Sequence, residues 1–132
     1  MSIFPTESQI AELQAMPDDE PVVMLNLLRF KDRASAPDEG LSGQEAYERY
    51  GQEAAPYIAK VGARLLNAAI TRQVVIGPED EWHMALLVEY PSARRFLEMA
   101  SDPGYLEAHV HRDAALADSR LIATRLLGAT LD

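Results

Sequence analysis

The stretch Pro21–Lys31, PVVMLNLLRFK, constrains the fold more than any other part of the chain. Val22 to Leu25 are apolar, Asn26 is polar, and apolar residues resume at once. Aliphatic and β-branched residues bounded by a proline and a polar loop predict a buried strand. Side chains alternate along a strand, so Val22, Met24, Asn26, Leu28 and Phe30 share one face and Val23, Leu25, Leu27 and Arg29 the other. A strand apolar on both faces belongs in the middle of its sheet, covered from both sides. One cover comes from the chain's own helices, the other from more of this chain or from a second copy. Asn26 then lies in an apolar row, where its amide needs a partner.

At 132 residues the chain is long enough for one domain with a substantial core, with residues 1–19 as an N-terminal helical extension and 20–132 as the core. No apolar run approaches the roughly 20 residues of a membrane-spanning helix. The start, MSIFPTESQ, lacks the basic-then-apolar pattern of a secretory signal. There is no cysteine, which removes disulfides and thiolate chemistry and fits a reducing, cytoplasmic compartment. The net charge of −9 repels phosphate backbones and anionic lipid surfaces, so neither nucleic acid nor membrane is an expected partner.

Further along the chain, Thr6 with Gln9 has capping-box spacing and opens a short helix ended by Pro17. Asp32–Gly43 reads as a loop long enough to be a flap, and Ser42 with Glu45 caps the next helix, which contains Pro56 and ends at Gly62. Within Ala63–Gly77, Val74, Val75 and Ile76 look strand-like, and Gly77–Asp80 reads as a short turn into a strand over Glu81–Tyr90. Ser92 starts another helix, Asp102-Pro103 restarts one to about Ser119, and Leu121–Leu127 forms a last strand. The order strand, helix, strand, strand, helix, strand is the ferredoxin-like βαββαβ unit, an α+β fold with helices on one sheet face. Its bare face is apolar here, so a symmetric homodimer packed sheet to sheet is expected.

Tyr90-Pro91-Ser92, Asp102-Pro103-Gly104-Tyr105, Arg112 and Gly62-Ala63-Arg64 carry a resemblance to a known family. They resemble domain of unknown function 1330, in the dimeric α/β-barrel superfamily, over roughly Pro21 to the C-terminus. Asn26–Phe30 and Trp82 depart from its commonest pattern. The resemblance implies the fold and the dimer but no established activity. Relatives in the superfamily include cofactor-independent monooxygenases, small isomerases and haem-degrading enzymes, usually working between sheet and helices.

Of the three histidines, His109 and His111 are two apart on a helix and point in different directions, so no metal site is predicted. Tyr105, His109, Arg112 and Leu116 fall along one helical line. That line would present a phenol, an imidazole base and a guanidinium anion clamp to a shared cleft. The structural alternative leaves His109 exposed, pairs Arg112 with Glu89 or Asp113 and makes Tyr105 core. Asn26 would orient a ligand carbonyl or bond across a dimer. Arg29, Trp82 and Tyr57 are further ligand candidates, although Trp82 and the tyrosines at 47, 50, 57 and 90 also suit a core. Phosphate-binding glycine loops are absent, so no nucleotide cofactor is predicted. The expected function is therefore binding of a small, flat, carbonyl-bearing or anionic metabolite, either as a cofactor-independent monooxygenase- or isomerase-like enzyme or as a non-catalytic binding or scaffold protein.

Overall fold

The computed structural model describes residues 5–127; the first four residues of the extension and the last five of the domain lie outside them. The elements are α1 (Glu7–Gln14), β1 (Val22–Phe30), α2 (Gly43–Lys60), β2 (Arg64–Ile70), β3 (Met84–Tyr90), α3 (Ala93–Ala100), α4 (Pro103–Ala115) and β4 (Leu116–Thr124). Four antiparallel strands in the order β2-β3-β1-β4 make one sheet, with β1 central as its two apolar faces require. This is the ferredoxin-like α+β arrangement with an added N-terminal helix.

Local chemistry sets the helix starts. Thr6 and Ser42 each form a complete capping box, Ser92 accepts the Arg95 N–H, and Asp102 accepts the Gly104 N–H ahead of Pro103. Gly62, at φ +79°, turns the chain from α2 into β2 in the left-handed region that glycine enters without a Cβ penalty. α2 continues through Pro56 to Lys60.

The helix-facing row of β1 packs in two adjoining clusters. Val22 and Met24 meet Tyr50, Ala54, Tyr90, Met99, Tyr105 and Ala108, while Leu28 and Phe30 meet Ala46, Ala115 and Leu116. Leu13 of α1 packs on the first cluster, which docks the extension on the core. Among the described residues no helix lies over the opposite row. Leu25 pairs in register with Leu87 and Ile122, and Leu27 with Ala85, so one apolar stripe crosses three strands on the bare face.

Four sequence expectations are corrected. α4 stops at Ala115 rather than near Ser119, and the last strand is Leu116–Thr124 rather than 121–127. The cause is β1, whose second edge needs a partner along its length; β4 pairs from Phe30↔Leu116 to Val23↔Thr124. Leu116 therefore leaves the helical line of Tyr105, His109 and Arg112. Val74–Ile76 are not in the sheet: β2 is Arg64–Ile70, paired with β3 from Arg64↔Glu89 to Ile70↔Met84. The connection is a long excursion rather than a short turn, with Val75 84% and Ile76 95% exposed. Sheet register overrides β-propensity here.

The Asp32–Gly43 loop is fastened to the helices. Asp38, fully buried at its carboxylate, takes the His111 ring at 2.7 Å and Arg49 at 3.1 Å. His111 meets Glu53 with its other nitrogen at 3.2 Å, and the Ser35 N–H donates to the Ala114 carbonyl. The two carboxylates occupy opposite ring nitrogens, so they do not converge on a common point for a metal.

Candidate functional site

Packing of α2 and α4 beneath the sheet lines up rings into a continuous run. His83, Phe30, Tyr47, Tyr50, Tyr105 and His109 are in successive contact, with centroids 5.9, 5.7, 5.3, 6.2 and 5.7 Å apart. The spacing of Tyr47 and Tyr50 on α2, and of Tyr105 and His109 on α4, puts each pair on the helix face turned inward. The Tyr50 and Tyr105 hydroxyls are 2.8 Å apart, so one donates to the other.

Arg112, 7% exposed, lies among these rings. Its guanidinium acts electrostatically on Tyr47, Tyr50, Tyr90, Tyr105 and His109. Among the described residues no carboxylate lies within ion-pairing distance of it. Glu89, one suggested partner, is held by Arg64 at 3.1 Å, and Asp113, the other, lies 3.4 Å from His109 Nδ1. That second contact is an ion-pair distance without hydrogen-bond geometry, since Asp113 Oδ1 accepts no hydrogen bond. Both pairings offered for Arg112 are thus taken by other bases, and His109 is largely buried rather than exposed.

Burial raises the phenol pKa of Tyr47, Tyr50, Tyr90 and Tyr105 above its ordinary value near 10. At neutral pH these groups are hydrogen-bond donors rather than phenolate bases. His109 shifts the other way: desolvation lowers its pKa, against the opposing pull of Asp113. Its ring is consequently neutral at pH 7 and has the proton affinity of a weak base.

This shift predicts a pH signature. Above about pH 7.5 the ring is neutral in both folded and unfolded chains, so it contributes no slope. Below that value the unfolded chain binds the proton first, and stability falls until the native ring protonates too. Chemical denaturation between pH 5 and 7, as rough limits, should show a shallower slope for His109→Gln than for wild type. An identical slope would remove His109 as a desolvated titrating group.

The remaining candidates lie apart from Arg112 or beside it without a direct bond. Asn26 is buried on the helix-facing row, its amide donating to the Met24 carbonyl at 3.3 Å. Tyr57 is half-buried over Gly104 at the start of α4. Arg29 lies on the bare face opposite Asp118, and Asp118 is paired with Arg120 at 2.8 Å. Trp82 lies before β3 at the sheet end, with the Arg120 guanidinium 5.1 Å from its ring centroid.

That sheet end holds a cleft of about 630 Å³ between the close of β1, the start of α2 and the 71–83 connection. Phe30 and His83 line it and also begin the ring run, so the cleft and the Arg112 group share Phe30. His83 Nδ1 accepts the Phe30 N–H at 3.1 Å, taking the place of the next rung of the β1–β3 ladder. Strand alternation gives no sign of this contact; the chain bends at His83, just before β3, where its N–H donates to the Leu28 carbonyl at 2.7 Å and its carbonyl accepts the Thr71 N–H at 2.9 Å. The Asp38–His111 pair, 73 positions apart, carried no local signal at all.

The four-stranded sheet with helices on one side defines a ferredoxin-like α+β protein. The chain belongs to the family Domain of unknown function (DUF1330), whose sequence profile matches residues 40–125. A protein of unknown function from Rhodopseudomonas palustris is 40% identical over 96% of this chain and 97% of its own, with a TM-score of 0.87. A dimeric, ferredoxin-like protein of unknown function from Bacteroides fragilis matches at 12% identity, 84% and 99% coverage and TM-score 0.55. A protein provisionally classed as an antibiotic biosynthesis monooxygenase from Bacteroides thetaiotaomicron matches at 14% identity, 88% and 98% coverage and TM-score 0.56. The last two likenesses are of fold alone. No curated protein matches the chain. Among the described residues no helix is long and apolar enough to cross a membrane, and no group of three or more His, Cys, Asp or Glu side chains is placed to hold a metal ion.

Proposed function

We propose that this protein is a homodimer that binds a small, flat, carbonyl-bearing anion beneath its sheet, with Arg112 as the anion clamp. The supporting observation is a guanidinium 7% exposed with no carboxylate in reach among the described residues. Burying a cation without a counterion costs several kcal/mol. A bound carboxylate or enolate would supply that counterion, and the neutral Tyr50–Tyr105 hydroxyl pair would donate to its oxygens. In the enzymatic form of this reading, His109 withdraws a proton from the bound carbonyl compound as in an isomerase- or monooxygenase-like reaction without cofactor. In the non-catalytic form the same group only holds the ligand. The likeness to a provisionally classed monooxygenase supports the first form only at the level of fold.

The test is a thermal-shift screen with keto acids, aromatic acids and enolisable diketones. A ligand at 100 times its Kd stabilises the native state by about 2.7 kcal/mol, a shift of several degrees. Loss of turnover with retained binding in His109→Gln would identify catalysis; no shift across the panel would overturn the binding reading.

The dimer reading rests on the apolar stripe of Leu25, Leu27, Ala85, Leu87 and Ile122, which no helix among the described residues covers. Sedimentation should give a dimer for wild type and a monomer for Leu25→Glu, which places a charge at the centre of the stripe, between Leu87 and Ile122. A wild-type monomer at micromolar concentration would rule out the sheet-to-sheet dimer.

A further inference from the structure

We propose that the cleft at the sheet end is a second ligand site, selective for a small zwitterion with an apolar side group, such as an aromatic α-amino acid. Its volume of about 630 Å³ falls within the usual range for small-molecule sites. Phe30, Ile70 and Trp82 supply an apolar wall for a ring.

The polar lining carries solvent-exposed groups of both signs that form no ion pair among the described residues. Arg72 lines the cleft, and among the described residues it has no ion pair. Asp32, Glu79 and Asp80 also line it and likewise have none. Lys31, the other lining cation, is already engaged, with Nζ 2.6 Å from the Ser35 hydroxyl and 3.5 Å from the Asp113 carbonyl. His83 accepts the Phe30 N–H at Nδ1, so its neutral ring carries the proton on Nε2 and keeps one donor to offer.

These charges decide the ligand class. A simple anion would satisfy Arg72 and His83 but would face three carboxylates. A simple cation would satisfy a carboxylate and leave the guanidinium and the ring donor unused. A zwitterion places its carboxylate on Arg72 and His83 and its ammonium on the acidic side, with an apolar group on Phe30 and Trp82. This cleft borders the Arg112 group at Phe30, but its charged groups are different residues from those beneath the sheet.

Trp82 is the only tryptophan, so its emission reports on the cleft directly. L-Phenylalanine, itself nearly silent in that window, should change Trp82 emission saturably in the full-length protein. 3-Phenylpropionate, lacking the ammonium, and phenethylamine, lacking the carboxylate, should each bind about tenfold more weakly. Arg72→Ala should weaken phenylalanine by a similar factor, and Arg112→Met should leave it unchanged. Equal binding of the three compounds would overturn the zwitterion class. Loss of the response in Arg112→Met would place the amino acid beneath the sheet and overturn the second site. No change either in Trp82 emission or in the amide NMR signals of residues 70–74 up to about 10 mM would overturn the proposal outright.

Discussion

Gly43→Ala should lower the stability of this protein by about 3 kcal/mol or more, seen as a fall in Tm of roughly 10 °C. Gly43 sits where three elements cross. Its N–H donates to the Lys31 carbonyl at 3.0 Å, and the Lys31 N–H donates to the Ala115 carbonyl at 2.9 Å. A Cβ at this position would collide with the Lys31 carbonyl oxygen and stand 2.6 Å from the Lys31 nitrogen and 2.7 Å from the Ala115 oxygen. All three are backbone atoms, so no side chain can swing aside; α2 must lift away from β1 and α4. Gly104 provides the contrast within the same molecule. There a Cβ meets only the hydroxyl end of the Tyr57 ring, which can turn, so Gly104→Ala should cost under about 1 kcal/mol. If the two substitutions cost the same in urea unfolding, the three-way junction is not what fixes α2. Because Ser42 and Gln44 line the sheet-end cleft, Gly43→Ala should also disturb any ligand bound there.

Arg112→Met should abolish binding beneath the sheet and at the same time raise the unliganded protein's stability by about 1 kcal/mol. Two effects oppose each other. Removing a buried cation that has no carboxylate partner among the described residues relieves its desolvation cost and leaves no orphaned charge behind. Against this, the Tyr47 hydroxyl loses its attraction to the guanidinium, worth about 1 kcal/mol. Methionine refills most of the volume with a flexible apolar chain, which limits the cavity cost. The first effect is the larger, since replacing buried ionic groups with apolar ones of similar size gains about 1–4 kcal/mol where it stabilises. Thermal unfolding with and without a screened ligand checks both halves. A variant that melts several degrees lower while still binding ligand would make Arg112 a structural cation and remove it as the anion clamp.

The central strand was legible because its pattern left no alternative: Val22–Phe30 is apolar on both faces, and only an inner strand accommodates that. The helix starts at Thr6, Ser42, Ser92 and Asp102 were equally legible, because a capping side chain bonds a backbone N–H two or three residues away. The line Tyr105–His109–Arg112 was readable from helical spacing, and the helix does turn Tyr105 and Arg112 into the core.

What the tertiary structure alone decided are the relations between distant parts. Val74–Ile76 have strand chemistry, yet β3 already pairs with Arg64–Ile70 and leaves them outside the sheet. Leu116–Ser119 continue a helical pattern, yet the open edge of β1 draws them into β4. His83, with an apolar strand behind it, gave no sign that its ring would accept a backbone N–H of β1. Nor could a single segment show that Glu89 goes to Arg64 and Asp113 to His109, leaving Arg112 without an acid among the described residues. Local sequence sets which backbone conformations are favourable within a few residues. Competition among remote partners for one strand edge or one carboxylate is settled only when the chain is packed, and the candidate sites of this protein are products of that competition.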